Sequence, residues 1–286
     1  GLGSPQDEKR RMKKLIFPLF GLLIAFGLYA KMNEPSWDTL FNGKDLDDWT
    51  VKIRTHDLGE NFANTFRVED GLLKVRYDRY SSFDRQYGHI FFNTPFSYYL
   101  LKVEYRFVGD QCPGGEGWAI RNSGAMLHSQ DPKTMLKDQD FPISIEGQFL
   151  GGHGKDKRTT CNLCTPGTNV VMADTLFTPH CINSQSETFH GDQWVTAHFI
   201  VLGSEEVHHL VGQDTVISYY QPQIGGGNVA PVDLKEKVDG MPLASGYISL
   251  QSESHPIDFR KVALVDLSSA KNDRKKLEEL VKKALK

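Results

Sequence analysis

Glu146 and Gln148 stand two residues apart in the segment Phe141-Pro-Ile-Ser-Ile-Glu-Gly-Gln-Phe-Leu150. Apolar and polar residues alternate there with the period of a β-strand. Ile143, Ile145 and Phe149 fall on one face, Ser144, Glu146 and Gln148 on the other. A carboxylate beside a carboxamide offers one ligand a proton acceptor and a group that both donates and accepts hydrogen bonds. The pair suits base catalysis on a hydroxyl-rich ligand; it also describes an ordinary solvated strand face. Arg121-Asn122-Ser-Gly124 adds a cation and a second carboxamide, and Gln251 a third. Arg121 equally fits a structural ion pair, and Asn122-Ser-Gly124 a strand bulge. His128, His180 and His190 are candidate proton carriers, because an unperturbed imidazole titrates near neutrality. Each also reads as a plain surface or loop residue. Trp118 precedes Arg121 closely and is a candidate sugar platform, whereas Trp49 and Trp194 read as core.

The elements that must position these residues are mostly strands. Alternation marks Gly71–Tyr77, Tyr98–Val108, Trp118–His128, Val195–Leu202, Val207–Val211, Thr215–Tyr220, Gly246–Gln251 and Phe259–Leu267. Short strands separated by turn clusters predict an all-β antiparallel sandwich. Between them, Gly151–Asp192 reads as a long irregular loop that holds three of the four cysteines. Such loops are usually functional, or here a stapled cover for the sheet. Gly225-Gly-Gly-Asn228 lacks the strand–loop–helix setting of a phosphate cradle. Leu277, Leu280, Val281 and Leu285 recur at helical spacing within Lys271–Lys286, which predicts one amphipathic helix.

With 286 residues, 39% hydrophobic, the chain suffices for one large β domain. A net charge of −3 carries no basic footprint, so nucleic acid is not an expected partner. Lys13 and Lys14 precede an uncharged apolar run from Leu15 to Ala30, the pattern of a secretory signal or an uncleaved membrane anchor. Met12 reads as a start, and Gly1–Arg11 as a polar extension. The expected layout is therefore residues 1–30 as extension and signal or anchor, 31–268 as the sandwich, and 269–286 as helix or tail. The expected location is periplasmic or extracellular, with membrane attachment only through that first segment. Cys112, Cys161, Cys164 and Cys181 make an even count, which favours disulfides in an exported chain. Of three pairings, Cys164–Cys181 with Cys112–Cys161 pins one loop to two places. Cys161-Asn-Leu-Cys164 is alternatively a redox pair or half a zinc site.

Four segments, in order, resemble the 3-keto-disaccharide hydrolase domain family. They are Leu40-Phe-Asn-Gly-Lys-Asp-Leu-Asp-Asp-Trp49, Arg121-Asn-Ser-Gly124, Glu146-Gly-Gln148, and Gly246-Tyr-Ile-Ser-Leu-Gln251 followed by Asp258-Phe-Arg260. The similarity spans about Trp37 to Leu267. It implies a concanavalin A-like jelly-roll sandwich of two antiparallel sheets, which agrees with the strand pattern. It also implies an exported enzyme acting on sugars whose C3 hydroxyl has been oxidised to a ketone, supplied by a sugar 3-dehydrogenase. One departure stands out. Many members carry His-Gly after the closing Gln strand, where this chain has Gln251-Ser-Glu253-Ser-His255.

A 3-keto group acidifies the C2 proton, so the glycosidic bond can break by elimination. That route needs one base, donors for the enolate oxygen and an acid for the leaving group. Glu146 is the leading base, with His128 and His180 as alternatives. Arg121, Asn122, Gln148, Gln251 and Trp118 are the candidate substrate-binding residues. Laminarinase-type sandwich glycosidases instead use Glu-x-Asp-x-x-Glu; here Glu146-Gly-Gln148-Phe-Leu-Gly151 lacks both later carboxylates, which disfavours double displacement. No cofactor is required. A divalent metal stays open, since Glu146 with His128 or His180 offers a mixed carboxylate–imidazole set without a compact ligand motif. Two other classes remain in play: a non-catalytic carbohydrate-binding module on the same fold, and an envelope protein assembling through its C-terminal helix.

Overall fold

The computed structural model describes residues 34–286. The expected signal or anchor, residues 1–30, lies outside them. No described helix is long and apolar enough to cross a membrane. In chain order the strands are β1 (Asp38–Thr39), β2 (Trp49–Ile53), β3 (Phe66–Glu69), β4 (Leu72–Val75), β5 (Gly88–Phe92), β6 (Tyr98–Phe107), β7 (Asn122–Ser129), β8 (Ile145–Leu150) and β9 (Asn162–Cys164). They continue as β10 (Thr168–Met172), β11 (Thr175–Phe177), β12 (Cys181–Ile182), β13 (Val195–Leu202), β14 (Glu206–Val211), β15 (Asp214–Ile224), β16 (Tyr247–Ser252) and β17 (Ile257–Asp266), followed by helix α1 (Arg274–Ala284).

These strands form two antiparallel sheets. The larger runs β11-β10-β15-β14-β13-β6-β17-β4-β3, with β1 added beside β17; the smaller runs β12-β9-β8-β7-β16-β5-β2. This is the expected jelly-roll sandwich with a short C-terminal helix. The core lies between the sheets and follows from strand parity. Leu127, Ile145, Phe149 and Leu250 of the smaller sheet meet Val103, Tyr105, Phe199 and Phe259 of the larger, all buried. Tyr105 stacks on Phe149 with ring centroids 4.2 Å apart. Helix α1, capped by Asp273 accepting from the Lys276 amide, buries Leu277 and Leu280 against Tyr98, Leu202 and Val265 on the far side of the larger sheet.

Three expectations need correction. Gly151–Asp192 is not irregular, because it supplies β9 to β12, and β10 pairs with β15 far along the chain. Trp49 is buried as expected, but Trp194 is only half-buried. It lies on the outer face between Arg106 and Arg260, whose guanidinium carbons each stand 4.6 Å from its ring centroid. Cys164–Cys181 forms, joining directly opposed residues of β9 and β12. Cys112 and Cys161 are instead free and buried. Cys161 is packed near Tyr105 and Thr160, and Cys112 near Tyr77 and Tyr80, so the two thiols occupy different parts of the core.

Candidate active site

The smaller sheet turns one face to the core and the other to a cavity of about 530 Å³. β8 shows why Glu146 and Gln148 face outward together. Ile145 and Phe149 are held in the core, and Gly147 lies between the two polar residues on the core side. A Cβ at Gly147 would meet the Phe199 ring at 2.3 Å, so glycine lets the opposite sheet close against the back of this strand. Register then carries the outward face across six strands. Asn162 pairs with Gln148, Gln148 with Gly124, Gln251 with His89, and His89 with Lys52. Leu250 opposes Ala125, which brings Gln251 beside Gly124. Gly124 is required for space. A Cβ there would stand 2.6 Å from Glu146 Oε1, so glycine leaves room for the carboxylate to lie across β7.

Glu146, Gln148, Asn122, Gln251, Trp118 and His180 all line the one cavity, as does the Cys164–Cys181 disulfide. Trp118 sits on a single 3-10 turn, is 51% exposed, and stacks on Tyr87 at 6.2 Å. Tyr87 in turn packs on Phe141, so an aromatic wall borders the polar floor. Asn122 Nδ2 donates to the Trp118 carbonyl at 3.0 Å, which leaves its buried Oδ1 without a partner. Gln251 Nε2 lies 3.4 Å from His89 Nε2, and the buried Gln251 Oε1 is likewise unpartnered. Gln148 Oε1 accepts from Asn162 Nδ2 at 3.1 Å, so its amide nitrogen is turned toward other acceptors.

Three sequence candidates are not part of this cavity. A bulge in β7 opposes Tyr247 with Ser129 but Ser249 with Met126, which reverses the parity near its end. His128, at φ 46°, therefore turns inward, its Nε2 donating at 2.8 Å to the Gly203 carbonyl and its ring meeting Tyr99 edge-on. Arg121, at φ 48°, turns the other way. It bonds Asp192 and the Gly191 carbonyl and lies over Phe107, in a separate cleft beside His255. His190 faces Asp156, and its Nδ1 accepts from the Gly154 amide, also away from Glu146. Among the described residues, no three His, Cys, Asp or Glu side chains cluster so as to hold a metal. The set of Glu146 with His128 is not assembled.

The cavity also holds residues that the motifs did not single out as functional. Arg158 brings a cation to the wall where Arg121 was expected. Its Nη1 donates to the Ile120 and Gly151 carbonyls at 2.6 and 2.9 Å, so it also ties the wall together. Asp140 accepts from the Phe141 and Ala230 amides, both at 2.8 Å, joining two rim loops. Glu253 is the larger omission. It follows β16 at the same parity as Gln251 and lines the cavity with Glu146. The signal was present: Ser249, Gln251 and Glu253 alternate with Ile248 and Leu250. Ser254 next to it is anchored by Tyr77 Oη and the Cys112 amide, which fixes the position of Glu253.

Glu146 is 6% exposed and Glu253 4%. Neither carboxylate accepts a hydrogen bond from a described residue. Burial pushes the Glu146 carboxyl up to about 8. Glu253 is raised well above the ordinary range by burial and by the charges of Glu146 and Glu116. The cavity therefore offers one base poised near neutrality, a second carboxyl raised above the ordinary range, two unsatisfied carboxamide oxygens, and an aromatic flank. That arrangement recognises hydroxyl donors and can move a proton.

A family model for the 3-keto-alpha-glucoside-1,2-lyase-like domain matches residues 36–265. The chain belongs to that family. Membership places it among carbohydrate-acting domains, and the match contains every strand except the last residue of β17. No curated protein matches the chain. Solved structures similar to it include a Bacillus subtilis protein of unknown function with a galectin-like fold, at 11% identity and TM-score 0.49, covering 82% of this chain and 96% of that one. A Bacillus licheniformis beta-glucanase matches at 10% identity and TM-score 0.43, over 82% and 98% of the two chains. A Bacillus subtilis carbohydrate-binding module matches at 10% identity and TM-score 0.44, over 77% and 96%.

Proposed function

We propose that this chain is an exported enzyme that cleaves 3-keto-glycosides by base-catalysed elimination. The observation that carries the reading is Glu146: a buried carboxylate without a hydrogen-bond donor, seated in a sugar-sized cavity of a 3-keto-glucoside lyase-like domain. In its ionised form Glu146 takes the C2 proton. The C–H electron pair moves toward the C3 carbonyl oxygen, forming an enolate. The enolate then collapses, the C1–O bond breaks, and the leaving oxygen takes a proton. The products are an unsaturated 3-keto sugar and an alcohol, and water adding to the former gives net hydrolysis. Gln148 Nε2 and the Arg158 cation are the groups placed to stabilise the enolate oxygen. The acceptors Asn122 Oδ1 and Gln251 Oε1 suit sugar hydroxyls, and Trp118 a pyranose face. His180 on the rim is a further proton carrier. The substrate must come from a reaction that oxidises a C3 hydroxyl, as a sugar 3-dehydrogenase does.

The test incubates the purified protein with a 3-keto-disaccharide and with its unoxidised parent, with and without a chelator, alongside Glu146→Gln. Release of a 3-keto sugar from the oxidised substrate alone, lost in the variant, supports the reading. Cleavage of the parent sugar would restore a conventional glycosidase. Binding of either without cleavage would point to a non-catalytic module.

A further inference from the structure

Glu253 has no role in the elimination as written above, yet it is the other buried carboxyl of the same cavity. The surroundings of this group are unusual. Three carboxyl groups converge: Glu146 from β8, Glu253 after β16, and Glu116 from the loop before Trp118. Tyr87 Oη donates to Glu116, which settles that carboxylate as an acceptor. Tyr77 also faces Glu253, and its hydroxyl oxygen accepts from the Ser254 amide. Glu146 and Glu253 have no such partner. Around them, the buried Asn122 Oδ1 and Gln251 Oε1 are acceptors that no described group satisfies. Oxygen acceptors thus line the cavity beside both carboxyls, together with the donors Gln148 Nε2 and Arg158. Two carboxylates this buried, with mutual repulsion and no donor, hold at least one proton between them. Glu253 is the less exposed of the two, at 4% against 6%, and faces Glu116 as well as Glu146, so burial and neighbouring charge favour the proton there.

We infer that Glu253 is the general acid of this enzyme, delivering its proton to the departing C1 oxygen while Glu146 removes the proton from C2. This inference rests on the eliminating reading proposed above and assigns that reaction its acid. The step balances without any co-reactant. Glu146 gains a proton from C2; the C2–H pair becomes the C1–C2 double bond by way of the C3 enolate; the C1–O bond breaks; and that oxygen takes the proton of Glu253. The site ends with its single proton moved from Glu253 to Glu146. Return of that proton between the two neighbouring carboxyls resets the enzyme, with no net uptake from solvent.

A general acid matters most when the leaving group is a poor one. The experiment compares the full-length protein with Glu253→Gln and Glu146→Gln on two 3-keto-glucosides, one of a simple alkyl alcohol and one of 4-nitrophenol. Deuterium exchange at C2 in heavy water is followed in parallel. Glu253→Gln is expected to lose on the order of 100-fold on the alkyl glycoside and less than threefold on the nitrophenyl glycoside, with C2 exchange preserved. Glu146→Gln is expected to lose both cleavages and the exchange. Preserved exchange also establishes that the Glu253 variant is folded with a working base. Equal losses on the two leaving groups, or no loss on either, overturn the assignment of the acid while leaving elimination intact. Exchange lost in Glu253→Gln overturns it as well, since Glu253 would then serve the base. A native protein inert toward both glycosides overturns the eliminating reading, and this inference with it.

Discussion

Gly124→Ala tests the geometry of the base without touching it. The new methyl group would stand 2.6 Å from Glu146 Oε1, 2.9 Å from its Cγ and 3.1 Å from its Cδ. Restoring ordinary contact at 3.4 Å moves the carboxylate oxygen by about 0.8 Å. The strand backbone itself accepts alanine, because Gly124 is not among the positive-φ residues. Overpacking of this kind costs roughly 1–3 kcal/mol, which at roughly 2–4 °C per kcal/mol lowers Tm by no more than about 12 °C. The catalytic effect is larger in proportion. A misplacement near 1 Å of a proton-transfer group costs on the order of 100-fold in rate. Steady-state cleavage of a 3-keto-disaccharide should therefore show kcat reduced about 100-fold with a smaller change in KM, and circular dichroism a folded sheet. The double variant Gly124→Ala/Glu146→Gln should be no slower than Glu146→Gln alone, because both changes act through one carboxylate. Full additivity, or a Gly124→Ala enzyme within threefold of the native rate, would refute the claim that Glu146 acts from the position this glycine leaves open.

The rate of cleavage should rise with pH through about 8 as Glu146 ionises, and a flat profile between pH 6 and 9 would argue against it. The same shift bears on stability. In the folded state this carboxyl is raised from 4.5 to about 8, so the native form holds the proton more tightly and stability falls as pH rises across that interval. Glu146→Gln should then match the native Tm near pH 4.5 and exceed it by several degrees at pH 8, measured by calorimetry. Replacing Cys164 and Cys181 by serine opens a loop closed at a separation of 17 residues, for a loss of about 3 kcal/mol, read as a lower midpoint in guanidinium together with a raised KM. Asp258 is buried between Arg76 at 2.5 Å and Arg106 at 3.0 Å, and Asp258→Ala should cost about 3–5 kcal/mol in the same titration.

Much of the fold was legible because its parity is strict. Val195–Leu202 was bounded without error, since Val195, Ala197, Phe199 and Val201 face the core between the sheets while the residues alternating with them face the other side. The β10–β11 hairpin was not legible. It lies inside a stretch whose flanks carry the Thr, Gly and Pro of loops, and its stabilising partner β15 lies some fifty residues away. At the site, parity placed Glu146 and Gln148 side by side, and Gln251 reached them through β16. Parity misled at His128 because the β7 bulge is a pairing event, invisible along one strand. Arg121 turned away at a positive-φ residue for which its own side chain gives no sign. Arg158 and Asp140 came to the cavity on loops, where spacing carries no directional information.

The stapled segment has a consequence for the open ends of the sandwich. At one end, the outermost strand of the larger sheet is β11 and that of the smaller is β12, three and two residues long. Both belong to the same short excursion of chain, whose base is clasped by Cys164–Cys181. Strand edges are where folded β proteins recruit one another into aggregates, and brief, tethered edges offer little to copy. One covalent clasp thus shields two edges at once. Loss of the bond in a reducing environment would free the longer borders β10 and β9 to the next molecule. The bond that borders the cavity wall thus also ties down both strand edges at that end of the sandwich.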